Sequence, residues 1–208
     1  MSYFAAHSRR SEAGQGKGEG VKIASILMAL CLSTVLTGCQ GGNMPGSGKA
    51  TPVAVKLAPD VDNYLQELSK IKQESLQKVI EPYAAATAEG AKYLSGKSSI
   101  AERKRHAPDI LKQMKMCSAS LTPIQKSAAN LACPSSCDDV KKHFEAYLAG
   151  FKKELEITIE FVTACTGDKP ATDPAMIAIS QKLARASQER SLENNLFQNE
   201  VKKLTEKS

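Results

Sequence analysis

Residues 137 to 164, CDDVKKHFEAYLAGFKKELEITIEFVTA, decide the fold. Val140, Phe144, Tyr147, Leu148, Phe151, Leu155, Ile159 and Val162 recur at three- and four-residue steps, a stripe wide enough to face a core. Asp138 and Asp139 sit at the start, where acidic groups suit the positive end of a helix. No Pro interrupts the run, so it predicts one long helix from Cys137 to Ala164. The surrounding composition agrees with one ordinary globular domain: 208 residues, 42% hydrophobic, 24% charged, 5% aromatic and no Trp. Those figures exclude a collagen-like fibre, a membrane channel and a wholly disordered chain.

Upstream, helical spacing continues. Val61, Leu65, Leu68, Ile71, Leu76, Val79 and Tyr83 predict a first helix, with Asp60 as its N-cap after Pro59. Pro82 kinks it or opens an Ala-rich continuation to about Leu94, and Gly96 stops it. Ser99 and Glu102 form a capping box for a second helix carrying Ile110, Leu111, Met114, Cys117 and Leu121 inward, bent at Pro108. Thr122-Pro123-Ile124-Gln125 reads as the start of a separate short helix to about Ala132. Downstream, Gly167, Asp168 and Pro170 break the chain, and Asp173-Pro174 opens a last helix with Met176, Leu183, Phe197, Val201 and Leu204 inward. Its middle, Arg190 to Asn195, is polar, which fits an exposed groove or a surface helix. No alternating β-branched run competes. The reading is an all-α bundle of four to five helices over residues 60–208.

The N-terminal part is different. Ile23 to Leu36 is a 14-residue apolar to weakly polar run, too short to span a bilayer but suited to a secretory signal, with Lys22 before it. It ends Leu36-Thr37-Gly38-Cys39. This segment resembles the lipobox of bacterial lipoproteins: apolar run, Leu, small residue, Gly and Cys in register. The resemblance implies cleavage between Gly38 and Cys39, diacylglycerol on the Cys39 thiol, and acylation of the new amino terminus by a fatty acid of the palmitate class. More than one acyl chain makes such an anchor stable. Gln40 rather than Asp after the Cys implies, by the same resemblance, the periplasmic face of the outer membrane rather than retention at the inner membrane.

Residues 1–20 are hydrophilic and Gly-rich, and Arg9-Arg10 lacks the apolar residues of a twin-arginine signal. Their composition also fits translation starting at Val21. On this reading residues 1–38 are leader, 39–59 are the lipidated Cys and a tether, and the bundle follows. The tether, QGGNMPGSGKATPVAVKLAP over 40–59, has no apolar face and a reach on the order of 25 Å. Removing the leader takes away four basic and two acidic residues, so the formal charge falls from +6 to +4, too mild to suggest nucleic acid as partner.

Four cysteines remain after Cys31 and Cys39. An even number in an exported domain suggests disulfides. A straight helix separates Cys137 from Cys165 by about 42 Å, which excludes that pair and, by proximity, Cys133–Cys165. If all four bridge, the pairs are Cys133–Cys137 and Cys117–Cys165, unless the helix breaks at Gly150.

Chemical sites are sparse. His106 and His143 belong to no metal-binding spacing, and His143 reads as solvent-facing beside Lys141 and Lys142. Glu156 and Glu160 share a helix face, yet Lys152 and Lys153 one turn earlier give them ordinary surface partners. Arg103-Lys104-Arg105-His106 reads as a solvated face, with anionic lipid as the functional alternative. No nucleophile–base, phosphate-binding or dinucleotide motif appears. The expectation is no enzyme and no cofactor: a lipid-anchored periplasmic adaptor or structural accessory, held to the membrane by Cys39 and binding another envelope protein. The alternative is a module holding a small apolar or lipid-like ligand among Phe144, Tyr147, Phe151 and Met114.

Overall fold

The first helix starts at Pro59, whose missing N–H falls where a helix has no use for one. Ala58 is therefore the N-cap rather than Asp60; Asp60 and Asp62 fill the first turn at the positive end. The computed structural model describes residues 57–207. Of these, 86% are helical, without a strand among them. Helix α1 (Pro59–Lys70) runs through a π segment (Ile71–Leu76) into α2 (Gln77–Tyr93), making one rod. Helices α3 (Ile100–Ala129), α4 (Asp138–Cys165) and α5 (Pro174–Lys207) follow. The α1–α2 rod, α3, α4 and α5 pack as an all-α bundle.

Three prolines lie inside these helices without ending them: Pro82 in α2, Pro108 and Pro123 in α3. All three are exposed, as are Lys78, Lys104 and Ala119, whose carbonyls lose their partners to these prolines and can turn to water. The separate helix expected from Thr122 does not form. Met114, Cys117, Leu121, Ile124 and Ala128 are buried on one continuous stripe. A break at Thr122 would put Ile124 and Ala128 out of phase with the other three. Burial of the whole stripe outweighs the cost of Pro123, on the order of 3 kcal/mol.

The capping box at Ser99 is present: the Glu102 N–H donates to Ser99 Oγ at 3.2 Å, and the Ser99 N–H donates to Glu102 Oε2 at 2.8 Å. The Ser99 N–H, with the Ser99 hydroxyl donating to the same oxygen at 2.9 Å, holds the Glu102 carboxyl below its usual range. Asp173 caps α5 by accepting from the Ala175 N–H at 2.9 Å. A one-turn 3₁₀ segment, Ser135–Cys137, leads into α4, which passes through Gly150 unbroken.

Helix α3 packs on α2 and α4, and α5 packs chiefly on α4. The short links place residues 94–99 and 166–173 at one end. The start of α1, the 130–137 connection and the end of α5 lie at the other. Lys72 closes the bundle between the first rod and α5, donating to Asn194 Oδ1 at 3.2 Å and lying 5.0 Å from the centre of the Phe197 ring.

Candidate functional site

Charge enters the core at mid-height on α4. Glu154 lies on the stripe that buries Phe151 and Leu155 and is itself fully buried. The Tyr83 hydroxyl of α2 donates to its Oε1 at 2.7 Å, and Arg190 Nε of α5 donates to its Oε2 at 2.6 Å. Phe151 completes the group, its ring centre 5.2 Å from that of Tyr83 in an edge-on arrangement and 5.1 Å from the Arg190 guanidinium carbon. Burial works against charge on Arg190, but Glu154 and the Tyr147 and Tyr83 hydroxyls outweigh it, so the guanidinium pKa stays raised. Burial first, then Glu154, raises Tyr83 well above the usual tyrosine range.

Gly150 makes this meeting feasible. A Cβ there would stand 3.3 Å from both Cα and Cβ of Arg190, so the absent side chain lets α4 and α5 approach at the level where Arg190 turns inward. Polar pairs continue along the same interface. His143 Nδ1 lies 2.8 Å from Glu193 Oε2, Lys153 donates to Glu189 at 2.7 Å, and Lys182 lies 3.9 Å from Glu160. The polar middle of α5 is thus neither an empty groove nor a free surface: Arg190, Glu193 and Asn194 each hold a partner on another helix. His143 is half-buried in its pair, not solvent-facing.

The other candidates disperse. Glu156 is exposed and Glu160 serves as a surface partner of Lys182. Asp138 and Asp139 are exposed in the first turn of α4. The basic run is not one face: Arg103 is buried, Lys104 pairs with Asp168 at 2.6 Å, and His106 stacks on Tyr93 with ring centres 3.7 Å apart. Phe144, Tyr147, Phe151 and Met114 are all buried, and Phe144 packs on Phe197 with centroids 5.0 Å apart. An apolar space of about 20 Å³ lies among Tyr83, Thr87, Ile110, Met114, Thr158 and Val162, room for a water-sized molecule rather than a lipid chain. Among the described residues, no group of three or more His, Cys, Asp or Glu side chains could hold a metal ion, and no helix is long and apolar enough to cross a membrane. Gly38 and Cys39 lie outside the described residues.

The four thiols are free in the structure. Cys165 lies against Arg103; burial pushes its thiol up to about 11, and the guanidinium acts in the opposite direction. Cys117 is fourteen residues beyond Arg103 on the unbroken α3, about 21 Å along its axis and three times the reach of a disulfide. The expected Cys117–Cys165 bridge is therefore corrected. It required residues 118–136 to extend along α4, whereas most of them continue α3. Cys133 and Cys137 remain together at the opposite end, beside Tyr64.

Sequence reasoning missed Tyr83, Glu154 and Arg190 as a group. Their phase carried a signal: Glu154 follows Phe151, and Arg190 follows Met176, Ile179, Leu183 and Ala186, at the spacing of the buried stripe. A mid-helix Gly, which costs helix stability, was the second sign that something packs close. No family model, no curated protein and no solved structure matches this chain.

Proposed function

We propose that the chain is a lipid-anchored, non-enzymatic accessory of a bacterial cell envelope, in which a helical bundle tethered through Cys39 engages another envelope protein. The observation that carries this reading is the register of Lys22, the apolar run and Leu36-Thr37-Gly38-Cys39. The bundle supplies its own support. Glu154 and Arg190 are spent on each other, with Glu154 shut away from solvent, so this pair holds helices rather than offering acid–base groups to a substrate. A tether ending in acyl chains confines the bundle near a membrane surface and raises its effective concentration for a neighbour there.

The experiment is in-cell crosslinking of the tagged protein, compared with Cys39→Ser, followed by mass spectrometry. The expected result is acyl mass on the Cys39 peptide, with one dominant envelope partner that is lost or greatly weakened in Cys39→Ser. A Cys39 peptide without acyl groups removes the anchor, and an acylated protein without any partner above background removes the adaptor role.

A further inference from the structure

Two thiols stand apart from the other pair in how the chain presents them. Helix α3 ends at Ala129, and five residues later Pro134 begins the 3₁₀ turn that delivers Cys137 to the start of α4. The Pro134 carbonyl gathers both ends of this turn: the Cys137 N–H donates to it at 2.8 Å and the Cys133 thiol at 3.4 Å. The Cys133 sulfur therefore lies within about 6 Å of the Cys137 backbone nitrogen, so one turn brings the two residues together. Cys133 is part-exposed and Cys137 is buried. Tyr64 of α1 covers the pair, and its hydroxyl is buried there without a conventional hydrogen-bond partner. The Tyr64 hydroxyl thus meets the Cys133 thiol, a weak hydrogen-bonding partner.

We propose that Cys133 and Cys137 are a redox-modified pair, joined as an intramolecular disulfide when the chain meets a disulfide oxidant, while Cys117 and Cys165 stay thiols. The accessible Cys133 reacts first: its thiolate attacks one sulfur of the oxidant's disulfide, and the oxidant's other sulfur leaves as a thiolate. Cys137 then gives up its proton and attacks the Cys133 sulfur, releasing the oxidant as a dithiol. Two electrons and two protons pass from the pair to the oxidant. The bridge fixes the 133–137 turn under Tyr64, at the end of the bundle where α1 begins and the segment from Cys39 joins it. Cys117 and Cys165 are buried on separate levels, and neither has such a thiol neighbour within reach among the described residues. That oxidation takes place in the cell rests on the export reading above, because cytosolic thiols are kept reduced.

The test is mass spectrometry of the full chain, alkylated at lysis without reduction and digested with trypsin, which places both cysteines in the single peptide 127–141. The expected peptide is unalkylated and about 2 Da lighter than its dithiol form, and the peptides bearing Cys117 and Cys165 take the alkyl group once the protein is unfolded. A second measurement is thermal melting: reduction lowers the wild-type midpoint by about 2–5 °C, and Cys133→Ser melts alike with and without reductant. If the peptide is a dithiol in cells but closes in oxidised glutathione, the pairing stands and the export reading falls. A peptide doubly alkylated even after equilibration with oxidised glutathione, or a crosslinked Cys117–Cys165 peptide, overturns the proposal.

Discussion

The two sides of α4 are built on different physics. Toward α3 it meets a helix whose buried residues from Ala107 to Ala128 are all apolar. Toward α5 it meets Arg190 on Glu154, Glu193 on His143, Glu189 on Lys153 and Lys182 near Glu160. The apolar side tolerates small displacements, because burial of surface has no direction. The polar side does not: a buried carboxylate needs its donors within hydrogen-bonding distance, and Gly150 brings the helices close enough to meet that need. The comparison teaches that α3 is held mainly by area, with Arg103 against Cys165 and Gln125 on the Leu148 carbonyl as its polar contacts to α4, whereas α5 is held in register by ion pairs.

The largest effect that tests this contrast is at Glu154. Glu154→Leu leaves Arg190 charged and buried without its partner and should cost about 3–5 kcal/mol in urea unfolding. Adding Arg190→Met should restore most of that loss, because two apolar side chains no longer need each other's charge. A double variant as unstable as the single would mean that the polar side is held by packing after all.

The next effect is at Gly150. Gly150→Val pushes against the Arg190 backbone and should cost about 2 kcal/mol by overpacking, despite the removal of a mid-helix glycine. The neighbouring Ala149 is exposed, and Ala149→Val should change stability by less than about 1 kcal/mol. Equal losses at the two positions would show that the close approach is not a constraint.

A smaller and graded effect comes with alkali. Tyr83 and Tyr64 lie above the usual tyrosine range, and Cys117 and Cys165 above the usual cysteine range, in each case mainly by burial. The unfolded chain therefore releases these protons before the folded one does. Their contribution is complete below about pH 8.5 and is lost as pH rises through 9 and 10, by about 1.4 kcal/mol per pH unit for each group still protonated in the fold. Urea midpoints between pH 8 and 11 should fall with that slope, and Tyr83→Phe should flatten it by one proton. An unchanged slope would place Tyr83 in contact with water.

Legibility followed the same division. The stripe on α4 was read correctly because apolar periodicity survives any arrangement of neighbours, and the capping box at Ser99 and the Asp173-Pro174 start are local enough to be seen in a few residues. Pro123 misled because its cost is local while the benefit of Leu121, Ile124 and Ala128 staying in phase is tertiary. The Arg103 to His106 run misled for the same reason: four basic or titratable residues in a row point to different sides of a helix, and Arg103 happens to lie on the buried one.

By itself the sequence determined an all-α chain, its principal helices and which apolar faces are buried, because helix periodicity and capping act over a few residues. It also carries Leu36-Thr37-Gly38-Cys39, the short linear pattern on which the proposed anchor rests and which needs no fold to be read. Only the tertiary structure decided that Glu154, Tyr83 and Arg190 meet, that Gly150 marks a close crossing and that Cys117 and Cys165 stand apart. Those are relations between helices, and a charged residue in a helix looks the same in sequence whether it faces water or another helix. Burial and partner geometry make the difference, and both arise only when the helices pack.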